Sequence, residues 1–195
     1  DNQLRLNLAY FKNQIDDIQR ELNLGDAQVV VLQGTVNAGD VDISGVELEF
    51  EAVPTDNLTL YGSIGYLDGD YKRVDPAYAA FIGSDLPRLA PWSMSFGGSV
   101  LIPLDSLGYL TVRGDWGFRD RNAYDDSNLN VFDQQRRYSG SVNWTSPEEN
   151  WVVSLFGKNL SDEANYGNLT SIGGLYTAGP MQKGREYGLE VLYQL

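Results

Sequence analysis

Leu110-Thr111-Val112-Arg113-Gly114-Asp115-Trp116-Gly117-Phe118-Arg119 alternates without a break. Leu110, Val112, Gly114, Trp116 and Phe118 fall on one side of an extended chain. Thr111, Arg113, Asp115, Gly117 and Arg119 fall on the other, because successive side chains of a strand point to opposite faces. Seven further stretches repeat the pattern: Leu4 to Tyr10, Val46 to Phe50, Leu58 to Tyr66, Trp92 to Ile102, Tyr138 to Trp144, Trp151 to Gly157 and Tyr187 to Leu195. Their apolar members sit at every second position, opposite residues such as Glu47, Glu49 and Glu51 or Ser93, Ser95 and Ser99. Eight strands are expected, with alternating cores of about 6–11 residues. A tilted strand needs roughly 9–11 to cross a bilayer, so the shorter ones require extended ends.

The connections alternate as regularly as the strands. Val53–Asn57, Pro103–Gly108 and Thr145–Asn150 are short, whereas Asn13–Ile43, Asp68–Arg88, Asp120–Arg136 and Asn159–Lys183 run to about 17–31 residues. Structureless loops of that length are uncommon in compact domains unless they are functional. A soluble sandwich has no reason to collect them all at one end, whereas outer-membrane barrels have short periplasmic turns and long extracellular loops. With the short turns inside, Trp92, Trp116 and Phe118 lie toward the outer end of the apolar side. Trp144, Trp151 and Tyr193 lie toward the inner end. Aromatic girdles at both bilayer interfaces have this form. The fold expected is all-β: an antiparallel, up-and-down transmembrane β-barrel segment.

Composition narrows function. The 195 residues carry 14 Lys+Arg against 27 Asp+Glu, a net charge of −13, which excludes a nucleic-acid binder needing a basic face. Histidine and cysteine are absent, which removes imidazole acid–base catalysis, thiolate chemistry, the usual zinc sites and disulfides. A hydrophobic fraction of 42% with no spanning apolar run fits alternating strands better than a membrane helix. Asp1-Asn2-Gln3 opens neither a basic nor an apolar leader region, so no signal peptide is expected within these residues.

Several stretches resemble the C-terminal part of a TonB-dependent outer-membrane receptor barrel. They are Asn37–Glu49 with its Ser44-Gly45-Val46-Glu47, Leu58–Asp68, Leu86–Ser93, Leu155–Glu163 with Asn159-Leu160-Ser161-Asp162, and Gly184–Leu189 leading into the last strand. The resemblance implies a 22-stranded barrel filled by an N-terminal plug. Residues 1–195 are then expected to be the C-terminal portion of that barrel, about eight strands, with the plug and its TonB-contacting box absent from them. Such barrels commonly end in Phe, and here the last residue is Leu195. The resemblance further implies a receptor in the outer membrane of a Gram-negative bacterium, and transport rather than catalysis. The nutrient is most often a ferric siderophore, taken up with energy relayed through TonB. The implied partners are outer-membrane lipid, the TonB complex through the plug, and an anionic small molecule such as a ferric siderophore. No cofactor or metal site is expected.

Among candidate site residues, the closely spaced Glu47, Glu49 and Glu51 face away from lipid. They lack a facing partner for glycosidase chemistry, and Arg5 is expected to pair with one of them. Asp68-Gly69-Asp70 and Asp125-Asp126 match no EF-hand spacing and are read as solvated carboxylates. Arg119 and Arg121 lie near the outer end of the fifth strand, Arg137 begins the inward face of the sixth, and Lys158 ends that of the seventh. Together they would form a cationic patch on the upper lumen wall that draws anions inward. Arginine forks suit carboxylate and catecholate oxygens. The competing reading pairs these cations with Asp115, Asp120 or the plug. Two rival functions are a small autonomous eight-stranded barrel with a structural or adhesive role, and a soluble β-sandwich lectin.

Overall fold

A computed structural model describes residues 3–25, 32–172 and 176–194; Leu195 lies outside them. Twelve strands follow one another: β1 (Leu4–Asn23), β2 (Gln33–Thr55), β3 (Leu58–Val74), β4 (Trp92–Pro103), β5 (Tyr109–Arg119), β6 (Asn122–Ala123), β7 (Val131–Phe132), β8 (Gln135–Thr145), β9 (Trp151–Lys158), β10 (Thr170–Ile172), β11 (Tyr176–Ala178) and β12 (Glu186–Tyr193). Eight form one antiparallel meander in the order β1-β2-β3-β4-β5-β8-β9-β12, each paired with its sequence neighbours in the sheet. The remaining four make two small hairpins, β6–β7 and β10–β11, inside the long connections. The sheet does not close, because β1 and β12 are its two free edges.

The registers put all eight apolar sets on one face. Tyr10 stands opposite Val46, Val46 opposite Tyr66, and Tyr66 opposite Trp92. Further along, Phe96 faces Trp116, Trp116 faces Tyr138, Val142 faces Leu155, and Leu155 faces Leu189. Had any strand slipped by one residue, its polar set would have turned to lipid. The band is exposed, as a lipid-facing surface must be: Leu8 is 75% exposed, Tyr187 68% and Leu155 58%. At its inner edge Trp144 Nε1 donates to Leu107 O at 2.8 Å, and the Trp151 and Tyr193 rings lie 4.6 Å apart. At its outer edge Tyr66 and Trp92 lie 4.7 Å apart. Both girdles thus keep a polar handle at the interface.

One of the expected long loops is largely strand, and a second begins as strand. β1 and β2 run to 20 and 23 residues and β3 to 17, well past the band, so Asn13–Asn23, Gln33–Ile43 and Asp68–Val74 continue the ladder. Beyond Tyr10 the lipid-side positions become Lys12, Gln14, Asp42, Ser44 and Asp68, because water replaces hydrocarbon there. The hydrophobic alternation stops, but the backbone pairing does not. A bulge at Asp17, whose φ is 53°, shifts the register between Ile15 and Ile18. The buried apolar residues, Leu22, Ala38, Val41, Leu86, Ala90, Ala123 and Leu169, all belong to this outer region.

Candidate functional site

The face opposite lipid carries the polar chemistry. Tyr61 on β3 and Asp115 on β5 both stand opposite Gly97 of the intervening β4. With no side chain at Gly97 to block it, the Tyr61 hydroxyl reaches across the strand and donates to Asp115 Oδ1 at 2.6 Å. Arg113 Nε and Nη2 grip the same carboxylate at 2.9 Å each, and its guanidinium lies 5.1 Å from the Tyr61 ring centroid. This is a bidentate fork with a stacked aromatic. Arg113 was passed over in the sequence, although an Arg and an Asp two apart on one strand face signal such a pair. Nearer β1, Arg5 stands opposite Glu51, and Asn7 Nδ2 donates to Glu49 at 3.4 Å. The expected ion pair of Arg5 with a glutamate does not form among the described residues; the two lie instead in a polar recess of about 360 Å3 also lined by Tyr61 and Ser63.

The four cations marked by the sequence occupy the outer part of this face and its rim. Arg119 ends β5 opposite Ser93 and Gln135, and Arg137 stands opposite Gly117. The two are therefore diagonal neighbours on adjacent strands, at a spacing of roughly 7–8 Å. Lys158 ends β9 opposite Glu186, with its ammonium 5.5 Å from the Phe156 ring centroid. Arg121 lies past the end of β5 beside the buried Asn122. Arg119 and Arg137 are thus brought together, while Lys158 and Arg121 flank them from β9 and from the loop. All four are exposed, and among the described residues none has a carboxylate within ion-pair distance. Asp115 is held by Arg113 and Tyr61. Asp120 Oδ1 accepts the Arg121 backbone N–H at 2.8 Å. Among the described residues, the one side-chain hydrogen bond the four make is a long one, Arg119 Nη2 to Arg88 O at 3.4 Å.

Above the wall the long connections are knotted together. Arg20 Nε lies 3.1 Å from Asp126 Oδ1 and 3.1 Å from the Tyr71 hydroxyl, which donates to the same Asp126 oxygen at 3.2 Å. Burial pushes the Asp126 carboxyl up against the counter-pull of Arg20, and burial also pushes the Tyr71 phenol up. Asp126 was expected to be solvated, but it is a half-buried structural anchor. The Asn128 amide exchanges hydrogen bonds with the Asp85 backbone, accepting from N at 2.7 Å and donating to O at 2.9 Å. Arg88 lies 5.0 Å from the Tyr124 ring centroid, and Thr177 Oγ1 donates to Asn130 Oδ1 at 2.8 Å. The segment between β5 and β8 therefore ties the first, second and fourth outer connections to one another.

An antiparallel meander with one exposed apolar face, girdles at both edges and long connections on one side defines the wall of a transmembrane β-barrel. A family model described as TonB dependent receptor-like, beta-barrel matches residues 1–191, and the chain belongs to that family. Its members are outer-membrane proteins of Gram-negative bacteria, and they are transporters rather than enzymes. Among solved structures, the chain is similar to the ferric yersiniabactin uptake receptor FyuA from Yersinia pestis, with a TM-score of 0.81 and 18% identity over 99% of this chain and 28% of that one. It is also similar to the siderophore receptor PiuA from Acinetobacter baumannii, with a TM-score of 0.75 and 17% identity over 98% of this chain and 26% of that one. The ferripyoverdine receptor of the outer membrane of Pseudomonas aeruginosa matches with a TM-score of 0.66 and 12% identity over 99% and 25%. The chain thus spans about a quarter of the length of these receptors. No curated protein sequence matches it.

Proposed function

We propose that this chain is the C-terminal barrel wall of a receptor that takes up a scarce nutrient, most readily a ferric siderophore, using energy relayed through TonB by a plug that these residues do not include. The observation that carries the reading is the state of the four cations. In a chain of net charge −13, Arg119, Arg121, Arg137 and Lys158 stand exposed around the outer end of the lumen face, without carboxylate partners among the described residues. A cationic patch at the mouth of a water-filled lumen concentrates anions from outside. The similarity to a ferric yersiniabactin uptake receptor and to a siderophore receptor supports the same ligand class.

The test uses the full-length receptor containing this chain, with Arg119→Gln and Arg137→Gln combined and surface expression matched. Binding and energised uptake of ferric citrate and of a ferric tricatecholate are measured at low and high salt. Each lost charge-assisted contact should cost about 1.5–3 kcal/mol if the ligand buries it, and less where solvent screens it. The deficit should shrink as ionic strength rises. If both complexes bind unchanged to the double variant, the cations serve the plug and not a ligand.

A further inference from the structure

Arg136 is a cation on the other side of the wall. It stands opposite Phe118 in the β5–β8 ladder, and therefore on the lipid-facing side, two residues outward of Tyr138. Its guanidinium lies 5.8 Å from the Phe118 ring centroid, at the end of a stacked run in which Phe96 and Trp116 are 5.7 Å apart and Trp116 and Phe118 are 6.2 Å apart. Four other cations of the outer region have carboxylates: Lys12–Asp42 at 3.1 Å, Lys72–Asp70 at 3.7 Å, Arg73–Asp40 at 2.7 Å and Arg185–Asp162 at 3.8 Å. Arg136 has none among the described residues, and Glu163 accepts only its backbone N–H. An exposed guanidinium on the lipid side at the outer interface is complementary to the phosphates of the membrane surface.

The surface below it is shaped for the rest of such a molecule. An apolar groove crosses the lipid face from β4 to β9, floored by backbone at Gly98, Gly114, Gly140 and Gly157, which pair in succession. One bank is the aromatic row Phe96, Trp116 and Tyr138, and the other is Val100, Val112, Val142 and Leu155. Nothing lies within 4 Å of where a side chain at Gly114 would begin, whereas the ends are closed by Leu60 beside Gly98 and by Leu160 and Tyr187 beside Gly157. The part free of covering side chains lies over Gly114 and Gly140, one strand spacing of about 5 Å. The groove also climbs. The Tyr138 row continues through Phe96, Gly62 and Phe50 to Leu6, four residues inward of the girdle residue Tyr10, so every row rises from β1 toward β12. The groove's outer end therefore comes up beneath Tyr138 and Arg136.

We propose that Arg136 and this groove form a binding site for one phosphate-bearing lipid of the outer leaflet, with the phosphate on the guanidinium and an acyl chain between the two banks. The membrane supplies both chemistries at the depths where the wall presents their complements.

The test is native mass spectrometry of the full-length detergent-solubilised receptor given dioleoyl phosphatidic acid or dioleoylglycerol, two lipids that differ only in the phosphate. The parent should retain one phosphatidic acid and about ten-fold less dioleoylglycerol. Arg136→Gln should lower retention of phosphatidic acid about ten-fold, and Gly114→Leu, which fills open space with an apolar side chain, should do the same. Lys12→Gln, on the far edge strand, should leave it unchanged, and millimolar inorganic phosphate should not displace the lipid. Equal retention of the two lipids by the parent, or retention by Arg136→Gln equal to the parent's, overturns the proposal. If Gly114→Leu fails to assemble, Arg136→Gln, an exposed change at the rim, still decides.

Discussion

Gly97 shows how one missing side chain organises a wall. A Cβ there would meet the Tyr61 ring at 2.5 Å, its hydroxyl at 2.6 Å and Asp115 Oδ1 at 2.7 Å, so any larger residue displaces the bridge that spans β3 to β5. Gly114, one strand over on the lipid face, meets nothing within 4 Å. Period two puts the two glycines on opposite faces, but it does not show what a side chain at each would meet. Gly97→Val should break the Tyr61–Asp115 hydrogen bond and disturb the Arg113 fork, at a cost of about 1.5–3 kcal/mol for a bond to a charged group. Gly114→Val should be close to neutral. Urea unfolding of the two variants in lipid vesicles checks this, and equal destabilisation would contradict the cross-strand bridge. Arg113 with Asp115, and Arg136 on the lipid side, follow from period two along one strand, whereas the Tyr61–Asp115 bridge depends on register with other strands. Periodicity along one strand does not supply that.

At the scale of elements, legibility followed the solvent. Each of the eight membrane strands could be found because hydrocarbon on one side and a polar lumen on the other impose period two on the side chains. The outer halves of β1, β2 and β3 could not, because no hydrocarbon lies against them and only scattered residues such as Leu22, Ala38 and Val41 are buried, so ion pairs rather than an apolar stripe mark the ladder. Arg73 there binds Asp40 at 2.7 Å and Asp17 at 3.1 Å, and Lys12 binds Asp42 at 3.1 Å. Arg73 holds the Asp40 carboxyl below the usual carboxylate range, and Lys12 does the same to Asp42. A depressed carboxylate contributes stability above its unfolded-state pKa and loses it as pH falls through the folded value, so these contributions vanish in strong acid. Asp126 has the opposite sign: burial raises it, so protonation removes a desolvation cost. Lowering the pH from 7 to below the carboxylate range should therefore open the β1–β2–β3 extension near Asp40 and Arg73 first. The amides Gly83 N and Arg88 N, which bond to Asp126 O and Ala123 O, should keep their protection longer. Hydrogen exchange read by mass spectrometry should resolve the order. The reverse order would mean that Arg20 and Asp126, rather than Arg73 and Asp40, carry the acid-sensitive link.

For the whole molecule, the alternation of short and long connections fixes a direction across the membrane. The three short connections carry tight backbone: the Asp56-Asn57 turn, Gly108 with φ 87° after the Asp105–Leu107 turn of 3-10 helix, and Glu149 with φ 58° between Ser146 and Trp151. A side chain at Gly108 would run into Thr145 O, so this turn is closed against its neighbour as well as within itself. The opposite side holds the buried apolar residues, the β6–β7 and β10–β11 hairpins and the Arg20–Asp126 knot. The wall is therefore asymmetric, with minimal turns on one side and a packed outer layer on the other. The open edges at β1 and β12 leave ladder groups for the rest of a barrel to satisfy. If the packed side faces outward, a single cysteine replacing Leu129, which is 83% exposed at the β6–β7 connection, should be labelled on intact cells by a membrane-impermeant maleimide. Cysteines replacing Asp105 or Glu148 in the short turns should be labelled only after the outer membrane is permeabilised. The measurement is made in the full-length receptor with envelope integrity monitored. Leu129 sits between Asn128 and Asn130, but its side chain is exposed and its own hydrogen bond, to Ser127 Oγ, is made by the backbone N–H, so its replacement should not disturb assembly. Labelling of the short-turn positions on intact cells, with Leu129→Cys protected, would reverse the orientation. It would then place Arg119, Arg121, Arg137 and Lys158 at the periplasmic mouth, where they could not serve capture from outside.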